Sequence, residues 1–390
     1  MGEAQDLFLF RGGPFYAVQR AAGFVGPRGE MLARRAPFFV LAAWLPLVVL
    51  AALQGLAIGP TPAESMLLCL SVHARYLVAL PLLLLAENLA DARFVTVAQR
   101  FVGSGVVRSA DLERFSAAAL DAKRLRDSRT VEALLFGIAV AIAIAAVLAD
   151  LHDGKPSWRS VGPPGAQTVS LAGVWALAFS QPLFVFVLAR WLWRLVIWGV
   201  FLRRVSQLDL ALVPAHPDAA GGLGFLARSP QAFEIVVFAL SAVLAATWAD
   251  AYFHHGVDLR VHRNQFVLFV VLNELLLLAP LLTFLGPLQR CKHASLSRYG
   301  ELGAALLRRF DERWLDGSEG GAPELLERPD PSALADYASV YGAVKNMRPV
   351  PFGRTTLVMV AVAAALPMLP LVPIVIPLPQ LLGQLAKALF

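Results

Sequence analysis

Cysteine is nearly absent: Cys69 and Cys291 are the only two in 390 residues. That is too few for a disulfide-stapled scaffold, and they lie beside different apolar segments, which argues against a bond between them. Charge is scarce too. Only 16% of the chain is charged and 57% is apolar, against about 25% and about 45–50% in an average soluble domain. The same balance excludes a disordered chain. No Gly-x-Gly-x-x-Gly, Walker loop or metalloprotease helix occurs, so nucleotide chemistry and hydrolysis lack a motif, and neither an enzyme nor a cofactor is expected. What remains is a membrane protein, with mean hydropathy +0.62.

The net charge of +6 and the pI near 9.6 do not indicate nucleic acid, because the basic residues gather at the ends of apolar spans without interleaved aromatics. A hydrocarbon core about 30 Å thick needs roughly 20 helical residues. Six segments qualify: Pro37 to Leu56, Tyr76 to Phe94, Val131 to Leu148, Leu171 to Trp193, Ala232 to Ala249 and Gln265 to Leu288. A seventh, Leu357 to Leu378, is long enough but rich in proline. Alternate connections hold twenty-six Lys and Arg against four. That bias places the amino terminus in the cytoplasm, ahead of an uncleaved first helix.

The expected fold is therefore an all-α polytopic helix bundle of about seven spans. Its divisions are a cytoplasmic segment 1–36, a six-span membrane domain 37–288, a cytoplasmic helical region 289–353 and a proline-rich seventh segment with an amphipathic tail, 354–390. Within the membrane domain fall a cytoplasmic helix 109–130 and a loop 203–231. From Ser109 nothing evident breaks a helix before Leu148, so a rod of about 60 Å is expected at about 1.5 Å per residue. The stripe Leu296, Tyr299, Gly303, Leu306, Phe310 and Trp314 would pack against it. His73 and Arg75 interrupt the second segment. Either the span begins at Tyr76 after an interfacial Met66 to Val72, or a tilted helix carries Arg75 within it.

Four sets of residues invite a functional reading. Asp250, His254, Asp258 and His262 recur every four residues, a spacing for a divalent metal if the fifth helix continues, though Gly256 and Val257 argue for a solvated turn. Glu274 beside Asn273, Glu87 with Asp91, and the pair Arg190 and Arg194 place ionisable groups within spans. They serve as an ion pathway, as an ion pair joining Glu87 or Asp91 to Arg190 or Arg194, or, for the arginines, as snorkelling cations beside an interfacial belt of Trp191, Trp193 and Trp198. Pro367, Pro370, Pro373, Pro377 and Pro379 cannot sit in a regular helix, so extended backbone around Leu371 and Val372 would cross or re-enter the bilayer and border a pore.

The fourth set is Val213-Pro-Ala-His216-Pro-Asp218-Ala-Ala-Gly221-Gly222-Leu-Gly224-Phe-Leu226. The loop is too short for the soluble domain of J-domain cochaperones, which share the His-Pro-Asp triplet. It reads as a tight turn, as a ligand or gate loop in which His216, Asp218 and the backbone of Gly221 and Gly222 meet an anion, or as a docking surface. Together with Lys345-Asn-Met-Arg-Pro-Val-Pro-Phe352, it resembles a bacterial family of multi-pass inner-membrane proteins to which no activity attaches. The leading expectation is an oligomeric channel for small ions in the lipid bilayer. Its rival is a non-transporting scaffold or sensor whose cytoplasmic helices bind a partner.

Overall fold

The computed structural model describes residues 12–24, 32–154, 157–163, 166–315 and 330–375. Residues 316–329 of the expected cytoplasmic helical region, the prolines Pro377 and Pro379 and the tail from Leu378 lie outside the described residues.

Among the described residues, seven helical stretches are long and apolar enough to cross a bilayer, and the architecture is an all-α polytopic bundle. In order, the helices are α1 (Pro14–Ala21), α2 (Leu32–Leu53), α3 (Leu70–Gly103), α4 (Leu112–Arg126), α5 (Arg129–Asp153), α6 (Leu171–Val205), α7 (Glu234–His255), α8 (Arg263–Leu278), α9 (Leu285–Trp314), α10 (Asp330–Lys345) and α11 (Arg354–Ala365). Strand β1 (Ser160–Val161) pairs antiparallel with β2 (Thr168–Val169) in the connection between α5 and α6. The end of the bundle that carries α4, the 206–233 connection and the α9–α10 arm is called the basic end below.

Apolar side chains cover both faces of these helices. In α2, Ala43, Leu47 and Ala51 are fully buried at helical spacing, while Leu41, Leu45 and Val49 point outward. In α5 the inward face is only Ala139 and Ala143, small residues that let its backbone approach α6. The outward face, with Leu134, Phe136, Ile138 and Ile142, belongs in hydrocarbon.

Two helices change pitch for the same reason. Pro81 and Pro182 each follow a π-turn, Ala74–Ala79 in α3 and Ala176–Ser180 in α6. A proline lacks the amide proton and its ring collides with the carbonyl four residues back, so the preceding turn widens. Arg75 lies in the first of these turns and donates to Gln181 Oε1, just after the second, at 3.0 Å, with its guanidinium over Phe184. The helix thus begins at Leu70 and carries Arg75 within it, with a protein acceptor and an aromatic face in place of water.

Four expectations fail. The stretch from Ser109 to Leu148 is two helices: α4 ends at Arg126, and Ser128 caps α5 by accepting the Val131 N–H at 3.4 Å. Burial pushes the Asp127 carboxyl up, but Arg126 and the Gly13 N–H beside it outweigh this and hold it below the ordinary range. A serine cap beside an acid satisfies the amides that a continuing helix would have used itself, and the chain turns. Helix α4 then folds back on α6, and the α9 stripe packs on α10 instead. There Gly303 lets Tyr337 close on the α9 backbone, where its hydroxyl donates to the Tyr299 carbonyl.

The proline segment is also helical. Leu366–Leu371 forms a 3₁₀ helix and Val372–Val375 a last α turn. Pro367 and Pro373 each stand second in their segment, where the amide proton they lack has no helical acceptor, and Pro370 alone lies inside the 3₁₀ turn. Finally, Trp191 and Trp198 do not form an interfacial belt. Both are almost fully buried, and Trp191 Nε1 donates to the Leu83 carbonyl at 3.1 Å. They join Phe94, Phe101, Phe201, Phe233 and Phe284 in an aromatic core below the basic end.

Candidate functional site

Two assemblies gather most of the residues singled out in the sequence. The first lies inside the bundle where α2, α3, α5 and α6 meet. Glu87 Oε2 contacts Arg35 Nη2 at 2.5 Å, and its Oε1 contacts Arg194 Nη2 at 2.5 Å and Arg190 Nη1 at 3.3 Å. Arg190 Nε also reaches Glu132 Oε1 at 3.1 Å. Glu87, Arg190 and Arg194 are buried, as is Asp91 one turn further along α3. Helical spacing sets this up, since Arg190 and Arg194 are four apart on α6 and present both guanidiniums to one carboxylate. Trp191 lies under Arg194 at 4.7 Å and Phe15 over Arg190 at 5.0 Å.

The amino-terminal segment closes this cluster from the basic end. The Phe15 N–H donates to Glu132 at 2.7 Å, the Gly13 N–H to Asp127 at 2.9 Å, and Arg190 donates to the Gly12 carbonyl at 3.4 Å. The gap left beside Arg190, Arg194 and Glu132 is about 20 Å³, room for about one water. The arrangement is an ion pair, and the arginines do not snorkel. Sequence reading missed Arg35, Glu132 and the α1 contacts. The signal for the first two was depth: Arg35 opens the first span and Glu132 sits one turn into the third, near the levels of Arg194 and Glu87.

The second assembly is the His-Pro-Asp loop. The anion that its glycine-rich backbone meets is its own Asp218. One carboxylate oxygen accepts the Ala220 and Gly222 N–H groups at 2.8 and 3.2 Å, the other accepts Gly224 N–H at 2.7 Å, and His216 Nδ1 lies 2.8 Å away. Burial raises the Asp218 carboxyl, but these donors outweigh it and hold it below the ordinary value. Gly221 and Gly222 both take positive φ, 65° and 93°, and a side chain on Gly224 would strike the Asp218 side chain. All three positions therefore favour glycine.

The later run docks on this loop. The Arg348 N–H donates to the Ala219 carbonyl and its guanidinium to the Asp218 carbonyl, both at 2.7 Å, and Lys292 reaches the Met347 carbonyl at 2.7 Å. Two segments some 130 residues apart form one clasp across the ends of α6, α9 and α10. Nothing in their separate sequences signals that meeting.

The remaining candidates stay apart. Asn273 donates to the Phe269 carbonyl of its own helix at 2.8 Å. Glu274 beside it on α8 is half-buried, and no hydrogen bond or ion pair reaches it among the described residues. Leu371 packs with Trp248, Leu259 and Met368 in a cluster separate from the main core, and Val372 follows it in the last turn, half-buried.

The metal reading fails: among the described residues no group of three or more ligands converges. Helix α7 stops at His255, where Gly256 turns left-handed, and the four-residue repeat loses its common face. Asp250 instead accepts the Leu70 and Ser71 N–H groups at 2.8 and 2.9 Å. Asp258 accepts the Arg260 N–H, and His262 stacks on Trp248. Cys69 and Cys291 are both free thiols.

Fold and site together define a polytopic α-helical membrane protein with a charge-locked interior and a clasped loop at one end. No protein-family model, no curated protein and no solved structure matches the chain.

Proposed function

We propose that this is a non-transporting scaffold or sensor of the bacterial inner membrane, with its amino terminus and basic end in the cytoplasm, whose α9–α10 arm binds an acidic amphipathic helix of a partner protein. The observation that carries this reading is the groove of about 710 Å³ along the arm, lined by Gly300, Gly303, Leu307, Phe310, Leu334 and Tyr341 among others. An apolar groove of helical length suits a helix laid into it. The flanking surface of α9 is rich in Arg298, Arg308, Arg309 and Arg313, which selects a partner with acidic edges. The clasp supports a sensing role, because Arg348 follows α10 directly and ties the arm to the loop beneath the bundle. The test uses full-length protein in nanodiscs and two model amphipathic helices, one of Leu and Glu and one of Leu and Lys. Saturable binding of the acidic helix, lost in Leu307→Glu, is the expected result. Equal binding of both helices, or none, refutes the reading.

The second reading is the oligomeric channel for small ions, and Glu274 is the observation that favours it. An unpartnered carboxylate on the outer side of a monomer at membrane depth is costly unless another copy or water meets it, so the conducting path would run between copies of α8. Flux in reconstituted liposomes decides between the readings. The channel requires ion flux in the wild type, raised by Leu371→Ser or Val372→Ser and altered in selectivity by Glu274→Gln. The scaffold requires liposomes as tight as empty ones.

A further inference from the structure

We infer that the cleft between α3 and the 225–231 segment is a binding site for the phosphate-bearing headgroup of an anionic phospholipid. The cleft measures about 380 Å³ and is lined by Arg93, Thr96, Arg100, Phe225, Arg228 and Gln231, with Ala92 and Val97 at its base. Its three arginines are all exposed. Arg93 donates to the Gln231 carbonyl and lies near Glu234. Neither Arg100 nor Arg228 has a side-chain hydrogen bond or ion pair among the described residues. Three guanidiniums thus converge on one hollow with one nearby carboxylate to offset them, and a phosphate is the group whose charge and oxygen geometry match them.

Position selects a lipid as the source. On α3 the outward stripe Leu85, Leu89, Arg93, Thr96 and Arg100 advances by three or four residues a step, so it is one continuous face. Leu85 and Leu89 are 39% and 53% exposed, open to hydrocarbon, and Arg93 follows about 12 Å below Leu85 at helical rise. An acyl chain laid on the leucines delivers its phosphate to the arginines. Basic pockets between membrane helices on the cytoplasmic side hold anionic headgroups in this way. A second hollow of about 540 Å³ shares Thr96, Arg100 and Phe225 and continues to His216, Asp218 and Gly222, so a large headgroup reaches the clasped loop. The general excess of basic residues at this end does not account for the convergence: Arg290, Arg298 and Arg308 stand along α9, and none of them lines this cleft.

The site is separate from the α9–α10 groove, so its test does not depend on partner binding. Full-length protein in detergent is titrated with phosphatidylglycerol or phosphatidylcholine and the bound lipid is counted by native mass spectrometry. Wild type is expected to prefer phosphatidylglycerol by at least about tenfold. The triple variant R93Q/R100Q/R228Q loses about a hundredfold in affinity, equivalent to about 3 kcal/mol at about 1 kcal/mol for each basic residue near an anionic surface. The double variant R100Q/R228Q, whose side chains make no hydrogen bond or ion pair among the described residues, should lose about twentyfold and melt like wild type. The control R290Q/R298Q/R308Q keeps its affinity within about threefold. Equal losses in the two triple variants, or no preference in wild type, overturns the site. If inorganic phosphate or glycerol 3-phosphate displaces the lipid at equal concentration, the ligand is a soluble phosphate and the lipid assignment falls.

Discussion

Replacing Glu87 by Gln removes the one carboxylate that three arginines share, and the consequence can be worked from the contacts. Arg35 and Arg194 each approach it at 2.5 Å and Arg190 at 3.3 Å, with all four side chains at most 8% exposed. In the variant, Arg35 and Arg194 lose their only carboxylate contacts among the described pairs, and Arg190 keeps Glu132. Removing one partner of a buried pair costs about 3–5 kcal/mol, chiefly because an uncompensated charge is left behind. Arg190→Gln should cost less, about 1.5–3 kcal/mol on the scale of a charged hydrogen bond, because Glu87 keeps two arginines. The double variant Glu87→Gln/Arg190→Gln should then be more stable than Glu87→Gln alone, since removing one cation relieves repulsion among those stranded. An exposed pair such as Arg108 and Asp209, 55% and 71% exposed, should give a coupling under about 1 kcal/mol. Reversible unfolding in mixed micelles measures all four corners of the cycle. Simple additivity, or a cost for Arg190→Gln equal to that of Glu87→Gln, would refute the idea that one shared carboxylate holds the cluster.

Three other perturbations test different parts of the molecule. Asp218→Ala should expose the amides of Ala220, Gly222 and Gly224 to hydrogen exchange, at about 1.5–3 kcal/mol for each lost charged hydrogen bond at most. Because the folded carboxyl titrates below its unfolded value, the clasp's contribution is complete above the ordinary aspartate range and disappears as pH falls through the lower folded value. Protection factors that already decline near pH 6 would contradict this. A methyl group on Gly303 would collide with the Tyr337 hydroxyl and ring, so Gly303→Ala should part α9 from α10 at about 1–3 kcal/mol. An unchanged melting temperature and an unchanged spin-label distance between the helices would show that the contact is slack. For orientation, single cysteines at Ser104 and Ser157 are compared after Cys69 and Cys291 are replaced. In intact cells an impermeant thiol reagent should label Ser157→Cys only, and the reverse pattern inverts the proposed topology.

Composition and periodicity determined the class of this protein and the approximate place of each span, because a helix in hydrocarbon must be apolar along its whole length and that property is local. The pairing of Glu87 with Arg190 and Arg194 was also legible, since helical rise converts residue number into depth. Depth is one coordinate, however, and Arg35 and Glu132 needed the lateral arrangement of four helices. Breaks were misread where a short polar pair decides them: Ser128 caps one helix where the other ends, and Gly13 and Arg126 bind Asp127 beside it. Prolines misled in the opposite sense, as Pro367 and Pro373 each open a short helical segment instead of breaking one. The four-residue repeat of Asp250, His254, Asp258 and His262 lost its meaning at a single left-handed glycine. The loop around Asp218 was recognisable as a feature of its own, but only tertiary structure supplied Arg348 to its carbonyls and filled its glycine nest with its own aspartate. Local chemistry is written along the chain, whereas which donor meets which acceptor depends on segments some 130 residues apart being folded against each other.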